Sequence, residues 1–350
     1  MFKYLLIIFS FLFSSLGFSQ IATDSISDYL INKIHPFPNK FNISIALIKD
    51  DTVNFIGFSK ENDATFIEEN KDSLFEIGSL TKVFTSTLLA NMVISDEIIL
   101  TENINPNFPF TFNSDIQLNY ISLSNHTSGL YRLPSNFFLF VKNQKNPYKE
   151  YTLEHFNDYL ENELKLDSKN KSNYSYSNLG AALLAHSLSL NKKKSFEKML
   201  TQRIFSKFDM KSTSFSLPPS CKGVYQNGKF AENWKFNILK GAGGLVSSVK
   251  DLSKFILAQF NPENTELQLT RTLTHSISNN MSIGLGWHII YPNSNNKKYW
   301  HNGGTGGFTS SVAFRKSNKT GVIVLSNISS SSTNSKLIDQ ICFDLLDALK

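Results

Sequence analysis

Apolar residues along this chain follow two periods, and the changes of period mark out its parts. The run Asn-Ile-Ser-Ile-Ala-Leu-Ile-Lys (Asn42–Lys49) is strand-like, Asp50-Asp51 supplies a turn, and residues 52–58 read as the returning strand. A short helix is predicted upstream, over residues 24–34. Downstream, Leu80, Val83, Phe84, Leu88 and Met92 recur at helical spacing with little charge between them, which predicts a buried helix beginning near Ser79. From about residue 100 to 240 the pattern is helix and loop, with helices predicted over 153–164, 178–190 and 195–205. Strand patterns return at 284–290, 309–314 and 321–326, and residues 335–349 are apolar on one helical face. Strands at both ends around a helical middle predict an α+β fold, with one sheet assembled from both ends of the chain. The sheet lobe is expected from about 21–75 and 241–350, and the inserted helical lobe from about 76–240.

The first residues have a different character. Lys3 precedes an apolar run from Tyr4 to Phe13, and Gly17-Phe18-Ser19 offers a small-residue cleavage site before Gln20 or Ile21. This is the layout of an export leader over residues 1–20, too short for a membrane span and followed by polar sequence. The expectation is a mature chain, residues 21–350, that is exported to the periplasm or beyond the cell with no stable membrane insertion. No cysteine stands near the cleavage site to carry a lipid anchor. The net charge of +6 is scattered. Lys192-Lys193-Lys194 reads as a solvated helix end, so no nucleic-acid partner is expected. Cys221 and Cys342 are the only cysteines; they could pair in an oxidising compartment, but neither has metal-ligand spacing. No His/Cys/Asp cluster calls for a metal, and no cofactor is expected.

The chemistry begins at Phe75-Glu76-Ile77-Gly78-Ser79-Leu80-Thr81-Lys82-Val83-Phe84. Residues three apart share a helix face, so the Lys82 amine can lie beside the Ser79 hydroxyl. A serine hydroxyl needs a basic neighbour to take its proton, and burial or a nearby cation makes a lysine such a base. A helix N-terminus also favours the negative charge that develops in acyl transfer. Serine is equally a common helix cap, so the pair gains weight only from the rest of the chain.

Two later stretches supply that weight. In Tyr174-Ser175-Tyr176-Ser177-Asn178, a tyrosine can move protons if cations stabilise its phenolate, and an asparagine can bond a substrate amide. The same residues also suit a helix cap with a core aromatic before it. Trp300-His301-Asn302-Gly303-Gly304-Thr305-Gly306-Gly307-Phe308 opens onto a strand pattern rather than a helix, which excludes a dinucleotide or phosphate loop. Its glycines allow a ligand to approach the backbone, with His301 placed to donate a hydrogen bond to a substrate or to Tyr176.

These three stretches, with Ser124-Asn125-His126-Thr127-Ser128-Gly129-Leu130, Tyr176-Ser177-Asn178-Leu179-Gly180, Gly241-Ala242-Gly243-Gly244-Leu245 and Gly284-Leu285-Gly286-Trp287, resemble the serine β-lactamase and penicillin-binding-protein superfamily, specifically its class C-like branch. The likeness spans nearly the whole mature chain. It implies an antiparallel sheet flanked by helices with an inserted all-α lobe. It implies Ser79 as the acylated nucleophile, Lys82 as its proton partner and Tyr176 as the residue that shuttles protons. Asn178 would contact a substrate amide, His301 stands where many relatives carry lysine, and Gly303 and Gly304 adjoin it at the substrate. The N–H groups of Ser79 and Gly304 match the oxyanion hole. His126, Gly129, Gly243 and Gly244 are implied to be structural.

The chain departs from the family pattern at Asn302, where many β-lactam-binding relatives carry a hydroxyl that helps hold a substrate carboxylate. It also lacks a Glu-x-x-Leu-Asn segment, so the class A deacylation route is not indicated. Arg132 and Arg315 are candidates for binding a carboxylate. The expected function is a secreted serine hydrolase acting through an acyl-enzyme on amide, D-amino-acid peptide or ester bonds of a small-molecule or peptide substrate. A true class C-like β-lactamase and a non-turnover penicillin-binding sensor are the alternatives.

Overall fold

A computed structural model describes residues 26–168, 173–291 and 293–349; the predicted export leader lies outside them. A helix over residues 26–34 (α1) leads into the expected hairpin of β1 (Asn42–Lys49) and β2 (Thr52–Glu61), with Asp50 at a left-handed φ of 55° in the turn. A third strand, β3 (Ala64–Ile67), folds back on the end of β2. The chain then passes through the short β4 (Phe75–Glu76) and a 3₁₀ turn, Gly78–Leu80, into α2 (Thr81–Ile94). Ser79 therefore sits in the tight turn that opens the helix.

The middle of the chain is helical as expected, carried by α3 (Tyr120–Ser124), α4 (Leu153–Asp158), α5 (Asn178–Lys192), α6 (Phe196–Leu200) and α7 (Lys240–Gly243). The helices predicted over 153–164 and 195–205 start as α4 and α6 and finish as π-helical turns, Tyr159–Glu163 and Thr201–Phe205. β5 (Val246–Ser247) pairs with β4. Then follow α8 (Val249–Phe260), α9 (Thr265–Arg271), β6 (His275–Ser278), β7 (Met281–Ile283), β8 (His288–Ile290), β9 (Lys298–Gly304), β10 (Thr309–Arg315), β11 (Thr320–Ser326) and α10 (Lys336–Ala348).

The large sheet has the order β3-β2-β1-β11-β10-β9-β8-β7-β6, with every neighbouring pair antiparallel. The first and last parts of the chain meet where β1 pairs with β11, Ile45 facing Val324. Alternation of side chains across the strands divides the interior in two. Ile43, Ile45, Val322 and Val324 face α1 and α10. Ala46, Ile48, Ile323, Leu325, Val312 and Phe314 face α2, α8 and the helical insertion.

Two expectations are corrected. The strand predicted over 284–290 is confined to His288–Ile290, because the Gly284 N–H bonds the Trp287 carbonyl at 2.9 Å and Gly286 turns the chain at φ 80°. The glycine-rich stretch at 301–304 is no loop opening onto a strand; it is the end of β9 itself. Both cysteines are free, with Cys342 buried and Cys221 partly exposed. Among the described residues no helix is long and apolar enough to cross a membrane, and no group of His, Cys, Asp or Glu could hold a metal ion.

Candidate active site

The turn before α2 brings Ser79 and Lys82 together as the spacing requires. The Lys82 amine lies 3.1 Å from the Ser79 hydroxyl and donates to the Ala242 carbonyl at 2.6 Å. Lys82 is 2% exposed. Burial, reinforced by the Arg132 guanidinium, holds its pKa well below the ordinary lysine value, which favours the neutral amine that can accept the Ser79 proton. α7 and the following residues are pinned to the start of α2, where the Leu245 N–H bonds the Thr81 hydroxyl and the Thr85 hydroxyl bonds the Gly241 carbonyl.

Tyr176 covers this pair. The Lys82 amine stands 4.8 Å from the centre of its ring, and the Arg132 guanidinium 5.1 Å. Its hydroxyl bonds Ser79. The His126 loop fixes it on both sides: the Ser175 N–H bonds the His126 carbonyl at 2.8 Å, the Ser177 N–H bonds His126 Nδ1 at 3.2 Å, and the two rings lie 4.5 Å apart. His126 is held at a left-handed φ of 62° to make both bonds. The condition that neighbouring cations stabilise a Tyr176 phenolate is not met in the resting site. Burial dominates and raises its pKa to about 12, against the Ser79 bond and Arg132, so the resting group is a phenol.

Asn178 opens α5. Ser177 caps the helix by accepting the Gly180 N–H at 2.8 Å, and the Arg132 carbonyl takes the N–H groups of Asn178 and Leu179. The Asn178 amide donates to the Tyr148 hydroxyl at 3.3 Å, and its carbonyl oxygen is buried without a partner. Tyr148, which sequence gave no reason to single out, stacks on Phe236 at 4.5 Å and packs on Trp234 at 5.2 Å.

His301 is 1% exposed on the α2 face of β9, its ring 6.5 Å from that of Tyr176. A carbonyl can only accept, so the 2.6 Å contact between Nδ1 and the Asn302 oxygen puts the ring proton on Nδ1. Burial holds the His301 pKa well below the ordinary histidine value, so the ring is neutral at pH 7. Nε2 is therefore an acceptor, buried without a partner, and the expected donation to Tyr176 or a substrate is reversed. Next to it, the Tyr174 hydroxyl meets His288 Nε2 at 2.8 Å, with the His288 pKa lowered by burial to about 4.

Alternation turns Asn302 to the opposite face, where its amide donates to Asp339 of α10 at 2.8 Å. Of the two candidate arginines, only Arg132 reaches the site. Arg315 is tied to the Leu346 carbonyl and to Asp347 at the end of α10.

Gly303 and Gly304 complete the arrangement. A Cβ at Gly303 would overlap the Ile77 carbonyl oxygen, and one at Gly78 would lie 2.5 Å from the Gly304 nitrogen, so glycine lets the Ser79 turn press against β9. Thr305 N–H bonds Phe308 O, which makes 305 and 308 a hydrogen-bonded pair. Alternation then makes Gly304 and Thr309 a non-bonded pair, with the Gly304 N–H directed away from β10, toward Ser79. The Ser79 N–H is itself in a first turn, where such groups have no partner within the helix. Two donors thus flank the place where a carbonyl oxygen would sit on attack by Ser79.

Comparison with known proteins bears on this geometry. The family model described as Beta-lactamase matches residues 35–341. A beta-lactamase of Pseudomonas fluorescens is 24% identical over 326 residues, covering 81% of this chain and 88% of that one. Beta-lactamase-like protein 4 of Dictyostelium discoideum is 26% identical over 303 residues, 75% of this chain and 52% of that one. The crystal structure of a beta-lactamase/D-alanine carboxypeptidase from Pseudomonas syringae superposes with a TM-score of 0.76 at 19% identity, covering 94% of this chain and 99% of that one. With the family match running from just before β1 into α10, this chain belongs to the beta-lactamase family of serine hydrolases.

Proposed function

We propose that the protein is an exported serine hydrolase that acts through an acyl-enzyme on Ser79, cleaving amide, D-amino-acid peptide or ester bonds. The observation that carries this reading is the 3.1 Å contact of Ser79 with a buried amine whose other bond goes to a backbone carbonyl. Neutral Lys82 takes the Ser79 proton as Oγ attacks the substrate carbonyl carbon. The oxyanion accepts from the N–H groups of Ser79 and Gly304. Tyr176 gives its phenolic proton to the departing amine or alkoxide and recovers one from the Lys82 ammonium, which breaks the scissile bond and leaves an ester on Ser79. Water then attacks that ester, its proton passing to the Lys82 amine, and a proton returned from the Lys82 ammonium lets Ser79 leave as the alcohol. His301 and Asn178 offer acceptors at the rim of this path.

Esters and amides are favoured over β-lactams by what β9 presents. Asn302 is spent on Asp339 and His301 is neutral, so neither supplies the hydroxyl or cation that holds a β-lactam carboxylate. The test is hydrolysis of a panel of p-nitrophenyl esters, D-alanyl peptides and a chromogenic cephalosporin. The expected outcome is turnover of an ester or peptide, lost by roughly 10³-fold or more in Ser79→Ala. Activity retained in the purified variant would overturn the reading.

A further inference from the structure

One buried carboxyl takes no part in these proton transfers. Glu76 lies in β4, three residues before Ser79, and is 5% exposed. Its Oε1 accepts the Trp234 N–H at 2.8 Å, the Thr305 hydroxyl also reaches the carboxyl, and Oε2 is buried without a partner. Each segment that meets there carries part of the site. Thr305 follows Gly304, and its hydroxyl accepts the Phe308 N–H at 3.2 Å across the tight turn, while its carbonyl takes the Ser330 N–H at 3.1 Å. Trp234 sits against Gly306, where a Cβ would overlap the indole nitrogen; that nitrogen donates to the Lys145 carbonyl at 2.8 Å, and the ring packs on Tyr148, the partner of Asn178.

We infer that the Glu76 carboxylate is a positioning residue: through Thr305 and Trp234 it fixes the Gly304 N–H against Ser79 and the Tyr148 wall beside Asn178. The inference rests on the acyl-transfer function proposed for Ser79. The ionised form holds these donors best, because charge-assisted hydrogen bonds are shorter and stronger than neutral ones. That form is also the costly one to bury. Desolvation raises Glu76 to about 7, the Thr305 and Trp234 bonds act in the other direction, and among the described residues no ionised neighbour contributes to its shift. Val246, its partner on β5, and the flanking Ser247 are not titratable either. With its native pKa above the ordinary 4.5, the native state binds more protons than the unfolded chain between about 4.5 and 7, so stability falls as pH rises through that window. Above pH 7 the carboxylate therefore serves alignment while lowering stability. A residue that only braced the fold would move both in the same direction.

Glu76→Gln keeps the shape and removes the charge. With a fluorescent penicillin as acylating probe at pH 8, the variant is expected to lose about tenfold in the acylation rate constant with little change in apparent probe binding, as for an interaction made in the transition state. Its rate limb near pH 7 should vanish, and its chemical-denaturation midpoint at pH 8 should rise. Thr305→Val should show a similar rate loss that adds little to that of Glu76→Gln. Wild-type rates and an unchanged limb in Glu76→Gln would overturn the inference, as would rate and stability falling together. If Glu76→Gln does not fold, Thr305→Val decides: an unaltered rate and limb overturn the inference, and a rate loss supports it. Probe labelling that survives Ser79→Ala would overturn the proposed function, and this inference with it.

Discussion

Lys82 and Tyr176 depart from their free values in opposite directions for one reason: burial disfavours the charged form of each. Burial thus favours a neutral amine and a neutral phenol in the resting site, the arrangement that the proposed mechanism needs for the Ser79 proton to move to nitrogen. The proposed mechanism makes the amine the base, so it predicts that activity is lost as pH falls through the Lys82 pKa. The pH profile of acylation should therefore show an acidic limb well below the ordinary lysine value of 10.5. Tyr176→Phe should keep that limb while slowing acylation by roughly 10²-fold, within the usual range for a general acid or base. An unchanged rate would make Tyr176 a packing residue only. For His301, nitrogen-15 NMR at pH 7 should find the neutral ring protonated on Nδ1, and an imidazolium spectrum would contradict the assignment. Residue identities at the site were legible because Ser79-x-x-Lys82, Tyr176-x-Asn178 and His301-x-Gly303 are short local patterns. Charge states were not, because they depend on burial by distant parts of the chain, with Arg132 acting on both Lys82 and Tyr176.

At the scale of elements, β9 makes the site. One strand end presents His301 toward Tyr176, turns Asn302 to α10, and brings Gly303 and Gly304 against the turn that carries Ser79. Gly303→Ala should push the Ile77 carbonyl and the Ser79 turn away from β9, and the misaligned oxyanion donors should cost roughly 10²-fold in acylation. Acylation at the wild-type rate would show that the contact tolerates a methyl group. The strands rich in β-branched and apolar residues, β1, β10 and β11, were legible from pattern. β9 was not, because its glycines carry no strand propensity and its pairing with β10 decides the matter. β3, β6 and β7 are short, and β3 and β6 lie at the edges of the sheet, where alternation has few positions in which to register. By contrast α8 carries a clear stripe, Val249, Leu252, Phe255, Ile256 and Phe260, behind its cap Ser248; it was available to periodicity and not drawn from it.

At the scale of the molecule, the site lies where the sheet meets the helical insertion. Ser79 enters from β4, Tyr176 and Asn178 arrive at the start of α5, and His301 comes from β9, so bringing them together requires the chain ends to pair through β1 and β11. Export is a separate expectation, carried by residues 1–20: N-terminal sequencing of the envelope or secreted fraction should find a start near Gln20 or Ile21, and Met1 retained on cytoplasmic protein would contradict it. The account as a whole stands on a covalent bond at Ser79. The most direct measurement is intact-protein mass during incubation with a fluorescent penicillin, followed by peptide mapping. One adduct per chain should appear, localise to the peptide containing Ser79, and disappear with time as the free enzyme returns. An adduct that maps to a residue other than Ser79, or one that still forms in Ser79→Ala, would contradict it.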